Sequence, residues 1–320
     1  ALLRGLQHEP DHSVPVLSLS QRMASPSKGR ESGQQGLVDL HRHLDGSMRR
    51  TTLEAFSEVD GVSVPEDFVF RPGMGLQDAL ARFAFTLARL SSPDRVAQVG
   101  SEICEDALVE GVETLEIRFG PQLHTGAAVE SILDAAIEGV AGRAGLILCG
   151  LYGDPPGLIE SLVDLAIARP GVVGIDLAGA PLAFHTYSLA DYGPAFRRAA
   201  RGGLGTTVHA GEGRAPAEIR GAIEILGAQR IGHGTTLMDD PAVLELVLKR
   251  GVTIEACVTS NLHVGAIGSV EDHDLARWLQ AGVKVCICTD NTLLSGVSAP
   301  GEYELVLALP GMTQDLLEQA

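Results

Sequence analysis

A chain of 320 residues with 45% hydrophobic content can bury a sizeable core, as one large domain or two ordinary ones. Its formal net charge of −17 repels phosphate backbones and anionic lipid, so neither a nucleic acid nor a membrane surface is an expected partner. No apolar run reaches membrane-spanning length, and the opening ALLRGLQHEP lacks the apolar core and cleavage site of a secretory signal.

In chain order, residues 1–35 come first, rich in Ser, Gly, Pro and charge without helical or strand period. They predict a disordered N-terminal extension, with Met23 as the expected natural start. From residue 36 a rhythm begins. Short β-branched runs end at polar residues or glycine: GLVDLH (36–41), VETLEIRF (112–119), GLILCGLY (145–152), VVGIDLAG (172–179), GTTVHAG (205–211), RIGHGT (230–235), VTIEACVTS (252–260) and VKVCICTD (283–290). Between them, residues 93–110, 127–141, 157–168, 216–226, 241–249 and 272–281 repeat apolar positions at helical spacing.

About eight such alternations predict an α/β fold of the (β/α)8 barrel type. An open doubly wound sheet is the alternative, weakened because no GxGxxG or GxxxxGK turn follows the first run. The long gap between the first two runs predicts extra helices over 51–111, above the barrel mouth. There FAFTLARL brings Phe83 and Phe85 into position to wall a pocket, with core packing as the alternative for each. The cysteines (Cys104, Cys149, Cys257, Cys286 and Cys288) are odd in number and sit mostly in apolar runs. They read as reduced, buried thiols of a cytoplasmic protein, not as disulfides or zinc thiolates.

In such a barrel the chemistry gathers at the C-terminal ends of the strands. The first run ends in His41-Arg-His43, the fourth in Leu177-Ala-Gly179, the fifth in His209-Ala-Gly-Glu212, the sixth in Gly232-His233-Gly234 and the eighth in Thr289-Asp290-Asn291. Strand residues i and i+2 share a face, so His41 and His43 converge on one point. His209 and Asp290 complete a set of three imidazoles and a carboxylate, which suits one catalytic Zn2+ per chain; another divalent transition metal fits the same donors. Asp45 lies just past the first strand, within reach of a substrate. Glu212 and His233 remain as proton donor and water-orienting group. Glu212 would need a carboxyl pKa raised by burial. Its alternative is to stabilise the N-terminus of a helix opened by Pro216.

The segments HRHLDGS, LEIRFGPQLH, GIDLAG, HAGE, RIGHGT, CVTSN and CTDN stand in the order found in adenosine deaminases of the metal-dependent amidohydrolase superfamily. The chain resembles that family from about Gly36 to its end. The resemblance implies that His41, His43, His209 and Asp290 bind zinc, that Glu212 protonates purine N1 as hydroxide adds at C6, and that His233 orients and activates the water. It implies that the Gly179 backbone donates to purine N3 and that Asp45 binds the ribose 5′-hydroxyl. Asn291 stands where the family commonly has a second aspartate contacting N7, and an amide can still donate an N–H there. Ala180-Pro181 replaces residues usually acidic in relatives. Relatives continue with another helical segment beyond TQDLLEQA, so a barrel domain over 36–320 with a shortened C-terminus is expected.

The expected activity is zinc-dependent deamination of adenosine or 2′-deoxyadenosine, with ammonia released and a small purine nucleoside as the partner; the sequence does not fix an oligomeric state. Asp45 disfavours a 5′-phosphate. The alternatives are a deaminase of adenine or of a modified adenine nucleoside, since relatives acting on free adenine tend to carry Glu at the Asp45 position, and a non-catalytic nucleoside-binding protein. The complete set of ligands and proton-handling groups argues against the last.

Overall fold

The computed structural model describes residues 36–320, and the extension expected over 1–35 lies outside the described residues. The apolar runs form eight strands: β1 (Leu37–His43), β2 (Val112–Phe119), β3 (Gly145–Leu151), β4 (Val172–Ala178), β5 (Gly205–Ala210), β6 (Arg230–His233), β7 (Thr253–Ala256) and β8 (Lys284–Ile287). All neighbouring pairs are parallel and the order follows the sequence. A parallel bridge between Arg42 and Asp290 joins the two edges, where His43 N–H donates to the Asp290 carbonyl at 2.7 Å and Asp290 N–H to that of His41 at 2.8 Å. The fold is a (β/α)8 barrel.

Period two sorts the strands into an apolar outside and a polar inside. Ile117, Phe119, Ile175, Leu177, Val208 and Ile254 join the core shared with the surrounding helices. The residues that alternate with them, Arg118, Asp176, Thr207, His209 and Glu255, are buried and bond one another. Arg118 reaches Asp176 and Glu255, and Thr207 reaches Glu255, across strands that are not neighbours, contacts possible only within the barrel.

Three helices fill the long first connection: α1 (Arg50–Val59), α2 (Leu76–Arg89) and α3 (Pro93–Val109). Ser92 caps α3 by accepting from Arg95 N–H, with Pro93 at the first helical position. Helix α2 buries only Ala79 and Thr86 fully; its Leu76, Ala79, Leu80 and Phe83 stripe turns to the barrel mouth.

Two segments differ from the sequence reading. The helix Leu189–Arg201 is absent from the periodic stretches because Gly193 and Pro194 lie inside it and its outer face is basic. A capping box at Ser188 and Asp191 starts it nonetheless. The seventh run does not stay extended to residue 260: β7 stops at Ala256 and a short helix, Val258–His263, follows. That turn delivers Ser260 and Asn261 to the mouth. The five cysteines are free and buried. Among the described residues no helix is long and apolar enough to cross a membrane.

Candidate active site

His43, Asp45, Phe83, Gly179, His209, Glu212, His233, Asp290 and Asn291, contributed by the ends of five strands and by α2, line one cavity of about 750 Å3 including its open mouth. Phe70, Leu76, Leu80, Leu123, Leu151 and Val264 make its walls apolar, and among the described residues no lysine or arginine lines it. Phe83 stands edge-on to the His43 ring, centroids 5.9 Å apart. Phe85 is not brought to this cavity. Two residues along a helix turn a side chain by about 200°, and Phe85 instead lies beneath the Arg89 guanidinium at 4.8 Å.

His41 and His43 bring their Nε2 atoms to within 3.3 Å, and His43 Nε2 stands 3.4 Å from that of His209. Asp290 Oδ1 lies 3.6 Å from His41 Nε2 and 3.4 Å from His43 Nε2. Four donors about 2.1 Å from one tetrahedral ion stand about 3.4 Å apart, so these atoms are spaced to share a metal. Three of the four are held from behind. The Nδ1 atoms of His41 and His209 point at carboxylates, Glu255 Oε2 at 2.8 Å and Asp176 Oδ2 at 3.0 Å, which leaves their Nε2 lone pairs for the metal. Ser260 Oγ donates to Asp290 Oδ2 at 2.5 Å. Burial first, then neighbouring cationic groups, lower the pKa of His41 and His43 well below the usual imidazole value, which keeps both neutral as ligands must be.

The backbone is strained where the site needs it. His233 and Asp290 have φ of 71° and 60°, in the left-handed region that non-glycine residues seldom adopt. His233 ends β6 and Asp290 lies just past β8, and the reversal turns each side chain toward the common centre instead of continuing the strand's alternation.

Behind His233, Asn261 Nδ2 donates to its Nδ1 at 3.0 Å, which places the ring proton on Nε2. The same amide lies 3.4 Å from Glu212 Oε1, itself 3.4 Å from His233 Nδ1. Burial pushes the Glu212 carboxyl up to about 7 and the His233 imidazole down to about 4. A carboxylic acid and a neutral imidazole therefore coexist near neutrality. The turn that carries Ser260 and Asn261 is fastened by Glu302, which accepts from both the hydroxyl and the N–H of Thr259.

The sequence-predicted residues other than His41, which lies just beneath, and Phe85 thus meet at one cavity. Several residues that shape it were not singled out: Arg118, Asp176 and Glu255 under the ligands, Ser260 and Asn261 beside them, and His124 against Asp45. Asp176 and Glu255 are each the only charge of their apolar run, which a solvent-facing strand position would also show.

A (β/α)8 barrel with such a His/Asp centre, able to hold a metal at its C-terminal rim, belongs to the amidohydrolase class. The adenosine deaminase family profile matches residues 36–320. The chain is 32% identical over 301 residues to the adenosine deaminase of Enterococcus faecalis, covering 88% of each protein. The crystal structure of adenine deaminase from Arthrobacter aurescens is similar with a TM-score of 0.77 at 25% identity, covering 86% of this chain and 88% of that one. The apo structure of the N6-methyl-AMP deaminase from Arabidopsis thaliana is similar with a TM-score of 0.77 at 26% identity, covering 88% of each. This chain belongs to the adenosine deaminase family, and it is a hydrolase acting on a C–N bond of a purine.

Proposed function

We propose that this protein hydrolytically deaminates adenosine and 2′-deoxyadenosine, giving inosine or its deoxy form and ammonia, with one zinc ion per chain. The observation that carries the reading is the pairing of a carboxyl and a histidine, Glu212 and His233, beside four donors spaced for one ion. Three nitrogens and one carboxylate, with no thiolate, favour a catalytic zinc site. Zinc, when bound there, acidifies a water molecule and so supplies a nucleophile at neutral pH.

The chain's own residues do the rest. The protonated Glu212 carboxyl faces the cavity and donates its proton to purine N1, which makes C6 electrophilic. His233, fixed by Asn261, presents Nε2–H to hold the attacking oxygen. The apolar walls clamp the base and exclude bulk water. The Gly179 N–H serves N3, the Asn291 amide N–H serves N7, and Asp45 accepts from the ribose 5′-hydroxyl. Gly179 has φ of 78°, a conformation that aims its backbone at the cavity and favours glycine.

A nucleoside is favoured over a nucleotide because among the described residues no lysine or arginine lines the cavity to neutralise a 5′-phosphate. The second reading is a deaminase of adenine, supported by the similarity to the Arthrobacter aurescens adenine deaminase, or of a modified adenine nucleoside, supported by the similarity to the Arabidopsis thaliana N6-methyl-AMP deaminase. The test is the ultraviolet change of zinc-loaded protein with adenosine, 2′-deoxyadenosine, adenine, N6-methyladenosine and AMP, with Glu212→Gln as control. Fastest conversion of the two nucleosides, abolished in the control, supports the proposal. Faster conversion of adenine or AMP overturns it.

A further inference from the structure

His124 follows the short 3-10 turn Pro121–Leu123 that leaves β2, and its ring is wholly buried. One edge, Nδ1–H, donates to the Leu90 carbonyl at 2.9 Å, at the C-terminal end of α2. The other edge, Nε2, lies 3.0 Å from Asp45 Oδ1, whose side chain is only 2% exposed. The ring also packs edge-on against Phe119, with centroids 5.8 Å apart. Both nitrogens face oxygen acceptors, so both must carry hydrogens, and the ring is an imidazolium. Burial is the largest single influence and opposes this charge, but the Asp45 carboxylate and the Leu90 carbonyl together raise the His124 pKa above the ordinary imidazole value.

Asp45 Oδ1 and His124 Nε2 meet as an ion pair and neither has a hydrogen-bond partner among the described residues. The carboxylate at this end of the cavity thus has one side chain to orient and neutralise it. Among the described residues no lysine or arginine lines the cavity to take its place.

We propose that His124 is the positioning residue for the sugar end of the substrate, holding Asp45 so that its second carboxylate oxygen accepts a neutral hydroxyl. This rests on the reading that the cavity takes a nucleoside. A buried carboxylate is free to rotate when its only cation is lost, and that change spoils an acceptor meant for one hydroxyl. His124 touches no reacting atom, so its loss acts on binding of the sugar and leaves the deamination step intact.

The test compares adenosine with 5′-deoxyadenosine, which lacks the hydroxyl in question, on zinc-loaded wild type, His124→Ala and His124→Gln. Wild type is expected to favour adenosine in kcat/KM by about 10- to 100-fold, the usual worth of a hydrogen bond to a charged group. In His124→Ala that preference shrinks to within a few-fold of unity through a raised KM for adenosine, while kcat and the 5′-deoxyadenosine values hold. His124→Gln, which can still donate to Asp45 from its amide and folds without the ring, recovers part of the preference. Equal losses for both substrates, or an unchanged preference in both variants, overturn the proposal. Absence of turnover or of any preference in the wild type overturns the nucleoside reading itself, and the role of His124 falls with it.

Discussion

The guanidinium of Arg118 meets the carboxylate of Glu255 at 2.8 Å in the barrel interior, and both side chains are fully shielded from solvent. The same Glu255 oxygen lies 2.8 Å from Nδ1 of His41. Arg118 reaches Asp176 at 3.0 Å with its other terminal nitrogen, and Asp176 in turn holds His209. One arginine therefore sets two of the histidine ligands through two carboxylates, and it also donates to the Leu40 carbonyl next to His41.

Arg118→Met leaves two buried carboxylates facing each other with less compensation. Removing one partner from a buried ion pair costs about 3–5 kcal/mol. We expect a melting temperature lower by roughly 10 °C, on a scale of about 2–4 °C per kcal/mol. We also expect lower zinc content after dialysis. Thermal melts and metal analysis check both; a variant that melts like wild type and keeps full metal would remove Arg118 from this role.

The pH profile of turnover follows from Glu212. Burial raises its carboxyl to about 7, and the proposed mechanism uses the protonated form as donor, so the active fraction is expected to be full well below pH 7 and to fall as pH rises through it. His233 stays neutral down to about pH 4, so it sets no limit near neutrality. The stability sign is the same. A raised carboxyl pKa stabilises the fold fully below the unfolded value of 4.5, and that contribution is lost as pH climbs to about 7. Glu212→Gln therefore cuts kcat by about 10²–10⁴ and gains melting temperature over wild type between pH 5 and pH 8. Steady-state rates and melts across that range decide it. A wild-type rate flat from pH 6 to pH 9 would rule out this donor.

The barrel and the histidines and aspartate gathered at its rim were legible because both obey short periods. His41 and His43 share a face by alternation, and His209, His233 and Asp290 each close an apolar run. Asn261 was hidden because VTIEACVTS continues a strand pattern, and nothing local shows that the chain turns helical at Val258. Arg118, Asp176 and Glu255 look like surface charges on half-exposed strands until the ring closes and puts them inside. The pairing of His124 with Asp45 links positions 79 apart, and no sequence period joins them. Periodicity reports which face a residue takes; it does not report what meets that face across a barrel.

Asn261→Ala tests the orientation of His233. The amide donates to Nδ1 at 3.0 Å, and no other hydrogen-bond donor reaches that nitrogen among the described residues. Its loss frees the ring to exchange tautomers and brings His233 Nδ1–H toward Glu212, 3.4 Å away. We expect kcat to fall by roughly 10- to 100-fold, as when a group that orients a catalytic ligand is removed, with KM for adenosine within about twofold of wild type. The two parameters are read from one progress-curve series. A raised KM with unchanged kcat would move Asn261 from the reacting end to the binding of the base.

Gly232 sits in β6 between Ile231 and His233, and its place is explained by packing. A Cβ there would lie 3.0 Å from Cε1 of His41, 3.4 Å from its Nδ1 and 3.5 Å from Cα of His209. The His41 ring cannot recede freely, since Glu255 fixes its Nδ1 and Nε2 stands among the other donors. In Gly232→Ala the methyl group therefore displaces a metal ligand by a few tenths of an ångström while the strand stays paired. We expect zinc affinity to fall about 10- to 100-fold, the range seen when the support of a ligand is disturbed. The metal-free melting temperature should change little, because β6 keeps its ladder to β5 and β7. Competition of each protein against a zinc chelator measures the first quantity, and melts in excess chelator measure the second. Unchanged affinity would mean that His41 has room to move, and the close contact with β6 would then play no part in holding the metal.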